Sequence, residues 1–210
     1  MLKLKVCGLT DLENIKQIIS LEPDMIGFVF HNASVRNANP DLFNKIRLSN
    51  SITKVGVFVD QSRGEIEKIV EQCTLNMIQV YHEDISNLQS LRSKVKIIKA
   101  ISISNSKDLT LCEKHLDQCD YFLFDTKGEK TGGNGIKFNW QLLENYKLNK
   151  PFILSGGISP EDAEKINSLD ITQLLGIDIN SKFEIKPGIK NIEQIKTFKI
   201  KLHASTEHTK

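Results

Sequence analysis

Short apolar runs rich in β-branched residues alternate with amphipathic stretches along nearly the whole chain. The runs cover residues 2–7, 25–30, 54–59, 77–81, 96–101, 121–125, 152–154 and 174–179. Each has the length and composition of a buried strand. The stretches between them carry helix punctuation. Thr10-Asp11-Leu12-Glu13 reads as a capping box, with Thr10 as the cap and Glu13 three residues later. Ser159-Pro160-Glu161-Asp162 offers a serine cap, a proline at the first helical position and acids in the first turn. Asn39-Pro40 and Ser62 open two more.

Strand–helix units repeated eight times over about 200 residues predict an α/β chain folded as a parallel eight-stranded (β/α)8 TIM barrel. A doubly wound open sheet is the alternative. It usually has fewer strands, and the first strand here lacks the GxGxxG turn. No repeat beyond the alternation and no linker divides the chain. Residues 1–202 are expected to form one barrel domain, and the polar residues 203–210 a frayed tail.

Composition narrows the class of partner. The 28 basic and 26 acidic residues nearly cancel, to a net charge of +2, so no electrostatic case exists for nucleic acid or an anionic membrane. With 40% apolar residues, a chain of this length buries a core without disulfides or metal. Cys7, Cys73, Cys112 and Cys119 form no CxxC pair and have no histidine at zinc-ligand spacing. They read as reduced thiols, with no metal site. No run reaches membrane-spanning length and the chain enters its first strand directly, so a cytoplasmic location is expected.

A barrel of this kind carries its chemistry at the C-terminal ends of its strands. Polar residues and glycines collect at those ends: Cys7-Gly8, Ser34-Val35-Arg36, Asp60, Tyr81-His82-Glu83, Asp125-Thr126, Ser155-Gly156-Gly157 and Asp178-Ile179-Asn180-Ser181. The amides of Gly156 and Gly157 can approach an anion without side-chain obstruction. The loop Asn180-Ser181-Lys182 can complete a phosphate site, which recurs after the last two strands of this fold. A tight turn before a capped helix is the plainer reading of the glycine pair.

Lys5 and Cys7 share one strand face, so Lys5 is expected one layer beneath Cys7, lowering the thiol pKa. The alternative is an inert buried thiol. Asp125 ends an aromatic strand, where desolvation raises a carboxyl pKa and suits it to general-acid work. It can equally cap its loop. Arg36 can clamp a carboxylate or be merely solvated. Thr131-Gly132-Gly133-Asn134-Gly135 can be a lid or a slack connection.

Several blocks in order resemble the phosphoribosylanthranilate isomerase family. They are Lys5-Val6-Cys7-Gly8-Leu9-Thr10, Gly27-Phe28-Val29-Phe30, Val55-Gly56-Val57-Phe58-Val59, Phe124-Asp125-Thr126, Gly132-Gly133-Asn134-Gly135, Phe138-Asn139-Trp140, Ser155-Gly156-Gly157-Ile158-Ser159-Pro160-Glu161 and Gly176-Ile177-Asp178-Ile179-Asn180-Ser181. The resemblance implies a cofactor-free Amadori rearrangement of a phosphorylated small molecule, N-(5′-phosphoribosyl)anthranilate, in tryptophan biosynthesis. It implies Asp125 as general acid and Cys7 as general base. It implies Arg36 on the anthranilate carboxylate, Gly156, Gly157, Asn180 and Ser181 around the phosphate, and Asp178 near the substrate with no assigned role.

The chain departs from the family at three places. It has Ser34-Val35-Arg36-Asn37-Ala38 where Ser-Pro-Arg, Tyr and an aliphatic are usual, Val80-Tyr81-His82 where Leu-His-Gly is usual, and Lys182 where Gly is usual. His82 is therefore expected in space normally empty, and Lys182 as a charged phosphate contact. The related isomerase of histidine biosynthesis carries an aspartate at the Cys7 position and a second phosphate site, which this chain does not match. A phosphate-binding barrel without turnover is the non-enzyme alternative; both catalytic candidates argue against it. The sequence leaves monomer and homodimer open.

Overall fold

Eight parallel strands follow one another round a closed barrel in chain order. They are β1 Lys3–Val6, β2 Met25–Val29, β3 Thr53–Phe58, β4 Met77–Val80, β5 Lys96–Ile103, β6 Tyr121–Thr126, β7 Phe152–Leu154 and β8 Leu174–Ile179. The ring closes where β8 pairs with β1, with Lys5 opposite Asp178. This computed structural model describes residues 1–46, 49, 51–127 and 137–204. The expected TIM barrel is present, with strand ends within two residues of the expected ones.

Side-chain alternation sorts each strand into an inner and an outer face. Inside the barrel, Met25, Val55, Ile98, Ala100, Leu123 and Ile153 form an apolar floor, with Met77, Tyr81, Tyr121 and Leu175 packed on it. The opposite faces build the larger core beneath the helices, where Phe122, Phe124, Phe152 and Tyr146 stack edge on face. Two residues further along the inner faces the character changes. Met77 is followed by Gln79, Leu123 by Asp125 and Ile153 by Ser155. Polar side chains thus stand on an apolar floor at the end where the strands finish.

The crossovers are less regular than the alternation predicts. The helices are α1 Leu12–Ser20, α2 Arg63–Cys73, α3 Leu111–Lys114, α4 Ala163–Asn167 and α5 Ile192–Ala204. After β2, β4 and β6 the described residues form 3-10 turns instead: Pro40–Lys45, Ser86–Ser93 and Trp140–Asn145. Leu88 and Leu91, and Trp140 and Leu143, are buried three residues apart. That spacing matches the 3-10 period.

The cap of α1 also differs from expectation. Asp11, not Thr10, accepts the Asn14 amide at 2.9 Å. Thr10 Oγ1 instead donates to the Gly188 carbonyl at 3.2 Å. Ser62 and Glu65 form a full capping box on α2. Asp162 accepts both the Ser159 amide at 2.7 Å and its hydroxyl at 2.8 Å.

Beyond β8 a two-stranded hairpin, β9 Glu184–Lys186 and β10 Ile189–Lys190, lies outside the barrel. Helix α5 then runs through His203, whose Nε2 is 3.1 Å from the Leu2 carbonyl oxygen, to Ala204. Residues 203 and 204 therefore belong to the helix rather than to the expected tail. Residues 205–210 and the loop Thr131-Gly132-Gly133-Asn134-Gly135 lie outside the described residues. Among the described residues no helix is long and apolar enough to cross a membrane, and no group of three or more His, Cys, Asp or Glu could hold a metal ion.

Candidate active site

β1, β4, β6, β7 and β8 deliver the polar groups of the barrel mouth. Lys5 is fully buried and donates from Nζ to Asp178 Oδ1 at 2.9 Å. Ser155 Oγ donates to the other oxygen of Asp178 at 3.3 Å. Asp178 is thus committed to two partners across β7, β8 and β1. Burial alone would push Lys5 down. The carboxylate of Asp178 and the Cys7 sulfur outweigh burial, and the ammonium is held charged.

Cys7 follows β1, its amide donating to the Ile179 carbonyl at 2.9 Å. Its thiol is buried, and the Lys5 ammonium acts on it. Gly27 on the neighbouring strand makes the room: a Cβ there would lie 2.7 Å from Cys7 Sγ. Burial pushes the thiol up, and the ammoniums of Lys5 and Lys190 offset this only in part. The expectation that Lys5 brings the pKa below the free value is therefore corrected. Desolvation wins over one neighbouring cation.

Asp125 ends the inner face of β6. Its Oδ1 accepts the Thr126 amide at 2.8 Å, and its Oδ2 accepts the Tyr81 hydroxyl at 3.0 Å. Burial raises its pKa, and these two donors oppose the rise without cancelling it. The loop after β7 backs directly on this group. Gly156 has φ of +90°, and a Cβ there would run into Thr126 and stand 3.0 Å from Asp125 Oδ1. Its lack of a side chain thus serves the acid as well as any anion.

Arg36 is held from two directions. Ser34 Oγ accepts its backbone amide at 3.1 Å, fixing the loop after β2. Glu184 accepts Nε at 2.9 Å and Nη2 at 2.7 Å, so the side edge of the guanidinium is occupied, while Nη1 makes no hydrogen bond among the described residues. Fully buried Lys190 donates to Glu184 Oε1 at 2.8 Å and to Asn180 Oδ1 at 2.7 Å. Asn180 is thereby drawn to the Arg36 side of the mouth rather than standing alone beside Ser181.

Glu184 and Lys190 join this cluster at the mouth, and the eightfold count does not single them out. Glu184-Ile185-Lys186-Pro187-Gly188-Ile189-Lys190 does carry a signal, an alternating run broken by Pro-Gly.

Gly157, with φ of +66°, follows Gly156, and both precede Ser159, whose amide and hydroxyl are taken by Asp162. Lys182 lines an open cleft of ≈ 560 Å³ with Lys137, Ser159, Pro160, Glu161 and Gln194. His82 Nε2 lies 2.8 Å from the Gln61 carbonyl oxygen, in the loop after β3. Val35, where the family pattern has proline, is 72% exposed.

Comparison with known proteins bears on the whole chain. Residues 4–200 match the family N-(5′phosphoribosyl)anthranilate (PRA) isomerase. An N-(5′-phosphoribosyl)anthranilate isomerase of Parabacteroides distasonis is 37% identical, over 93% of this chain and 90% of the relative. One from Petrotoga mobilis is also 37% identical, over 93% and 94%. The crystal structure of phosphoribosyl anthranilate isomerase from Thermotoga maritima superposes with a TM-score of 0.85 at 28% identity, over 97% of this chain and all of that one. A further isomerase structure, in complex with reduced 1-(o-carboxyphenylamino)-1-deoxyribulose 5-phosphate, gives 0.81 at 26%, over 97% of this chain and 100% of that one. With the match spanning almost every strand and crossover, the chain belongs to the N-(5′-phosphoribosyl)anthranilate isomerase family.

Proposed function

We propose that Asp125 and Cys7 are the acid and base with which this chain carries out the isomerisation of N-(5′-phosphoribosyl)anthranilate, a step of tryptophan biosynthesis. The observation that carries the reading is the pair's placement. A buried carboxyl on β6 and a buried thiol after β1 flank one mouth, with Asp178 acting on both.

Asp125 gives its proton to the ribose ring oxygen. The C1′–O bond breaks, and the anilino nitrogen supplies the electron pair of the C1′=N iminium. Cys7, as thiolate, takes the C2′ proton, and the C2′–H pair becomes the C1′=C2′ bond that quenches the iminium. The resulting enol tautomerises to the aminoketose, C1′ gaining a proton as the C2′ hydroxyl loses one; transfer of a proton from Cys7 to Asp125 through solvent resets the pair, so substrate and product are isomers and no cofactor enters. The iminium charge acts on Cys7 in the same sense as Lys5 and Lys190, favouring the thiolate against burial.

Arg36 presents Nη1 to the anthranilate carboxylate while Glu184 fixes its other edge. The Gly156 and Gly157 amides, Ser181, Asn180 through its backbone, and Lys182 take the phosphate. Asp178 keeps Lys5 charged beneath Cys7. All these groups come from one chain, so the reading needs no partner subunit. Four free cysteines fit a cytoplasmic enzyme.

The test is turnover of freshly made N-(5′-phosphoribosyl)anthranilate, followed by loss of anthranilate fluorescence. Cys7→Ala and Asp125→Asn should each lose about 10²-fold or more in kcat, the usual scale of general acid–base catalysis. A variant within threefold of wild type would remove that residue from its role.

A further inference from the structure

Tyr81 stands where the family pattern has histidine, and its side chain reaches the proposed acid. Its ring packs on the apolar floor of the barrel. Above Ile98 the intervening strand β5 presents the small Ala100 and Ser102 on its inner face, and Ser102 is level with Asp125. The ring can therefore cross over β5. The hydroxyl donates to Asp125 Oδ2 at 3.0 Å. Gln79, one layer below on the same face, donates from Nε2 to the Tyr81 oxygen at 3.3 Å. The Tyr81 oxygen thus accepts from Gln79, which has only a donor to offer on that side, and gives its proton to Asp125. Gln79 is 1% exposed, and its own Oε1 has no hydrogen-bond partner among the described residues. A buried amide is left half-satisfied while it orients Tyr81.

We propose that Tyr81 is a positioning residue for Asp125. Its hydroxyl fixes the carboxyl opposite the Thr126 amide and stabilises the carboxylate left after the proton is given up. The inference rests on the assignment of Asp125 as the acid. With the amide on Oδ1 and the phenol on Oδ2, the carboxyl is held at both oxygens in one rotamer. A donor to the charged form makes the acid stronger. Ring opening, which consumes the acid's proton, is the step that gains.

The other charged groups around Asp125 are accounted for. Asp178 from β8 opposes its ionisation, and Lys5 from β1 favours it. Cys7 and Asp178 also act on Tyr81. The neighbouring strands offer Ser102 from β5 and Ser155 from β7, neither of which titrates near neutrality.

The experiment is a 13C NMR titration of protein labelled at the aspartate carboxyl carbon, with Asp125 assigned by the signal missing from Asp125→Asn. In Tyr81→Phe the Asp125 midpoint should rise by about one pH unit, as expected for loss of one hydrogen bond to a charged group. Replacing Tyr81 with 3,5-difluorotyrosine, a stronger donor of nearly the same shape, should move it down. The kcat of Tyr81→Phe should fall about tenfold while KM stays within twofold.

An unmoved midpoint in both variants overturns the proposal, whatever the kinetics show. If the midpoints move as stated but Asp125→Asn keeps wild-type turnover, the hydrogen bond tunes Asp125 but Asp125 is not the acid. That outcome overturns the proposed role of Tyr81 in catalysis, through the assignment it rests on.

Discussion

Glu184 and Arg36 form a two-point pair at the barrel mouth, Nε to Oε1 at 2.9 Å and Nη2 to Oε2 at 2.7 Å. Lys190 closes the triad from the buried side, and the cluster keeps one net positive charge. An arginine held by one edge presents the rest of its fork in a fixed direction, which recognition of a planar carboxylate needs.

Glu184→Gln should therefore raise KM for N-(5′-phosphoribosyl)anthranilate about tenfold and change kcat less. The carboxylate contact is made in ground and transition states alike. The same change leaves Arg36 and Lys190 without their counter-charge. It should cost about 3 kcal/mol of unfolding free energy, read by urea titration. An unchanged KM would mean that Arg36 does not need Glu184 to face the substrate.

Gly27→Ala tests the space behind Cys7. The added methyl meets Sγ at 2.7 Å, closer than side chains approach in folded proteins. Overpacking of this kind costs about 1–3 kcal/mol. The thiol should move and kcat should fall by more than KM changes. Wild-type kcat in a folded variant would show that the sulfur has slack in its position.

Asp125 links the site to stability. Its folded pKa is raised, by burial first. A carboxyl raised above its unfolded value stabilises the fold fully below the unfolded pKa, about 3.9, and loses that contribution as pH rises through the folded midpoint. Asparagine does not titrate. The urea-unfolding free energy of Asp125→Asn minus that of wild type should therefore increase from pH 4 to pH 7. A difference that is flat with pH would mean Asp125 ionises in the fold as it does in the unfolded chain.

The barrel itself was legible because all eight strands are short apolar runs with polar ends, and that pattern needs no tertiary information. The crossovers were not. Leu88 and Leu91 fit a 3-10 turn as well as an α-helix, and packing rather than pattern decides between them. The cap at α1 slipped from Thr10 to Asp11 because Thr10 finds a partner 178 residues away, in Gly188.

The site divides the same way. Cys7, Arg36, Asp125 and Gly156 announce themselves at strand ends. Glu184 and Lys190 do not, because they reach the mouth from a hairpin outside the barrel count. The sign of the Cys7 shift is not legible because the burial that sets it comes from packing against other strands, Gly27 of β2 among them, which alternation along β1 does not reveal.

The central claim is that Asp125 serves ring opening and Cys7 serves removal of the C2′ proton. Substrate deuterated at C2′ separates the two steps. Cys7→Ser, of similar size but with a hydroxyl that ionises far less readily than a thiol, should show a larger isotope effect on kcat than wild type, because carbon–hydrogen cleavage becomes limiting. Asp125→Asn should show an effect closer to unity, because ring opening becomes limiting. An isotope effect that shrinks in Cys7→Ser, or grows in Asp125→Asn, would contradict the assignment.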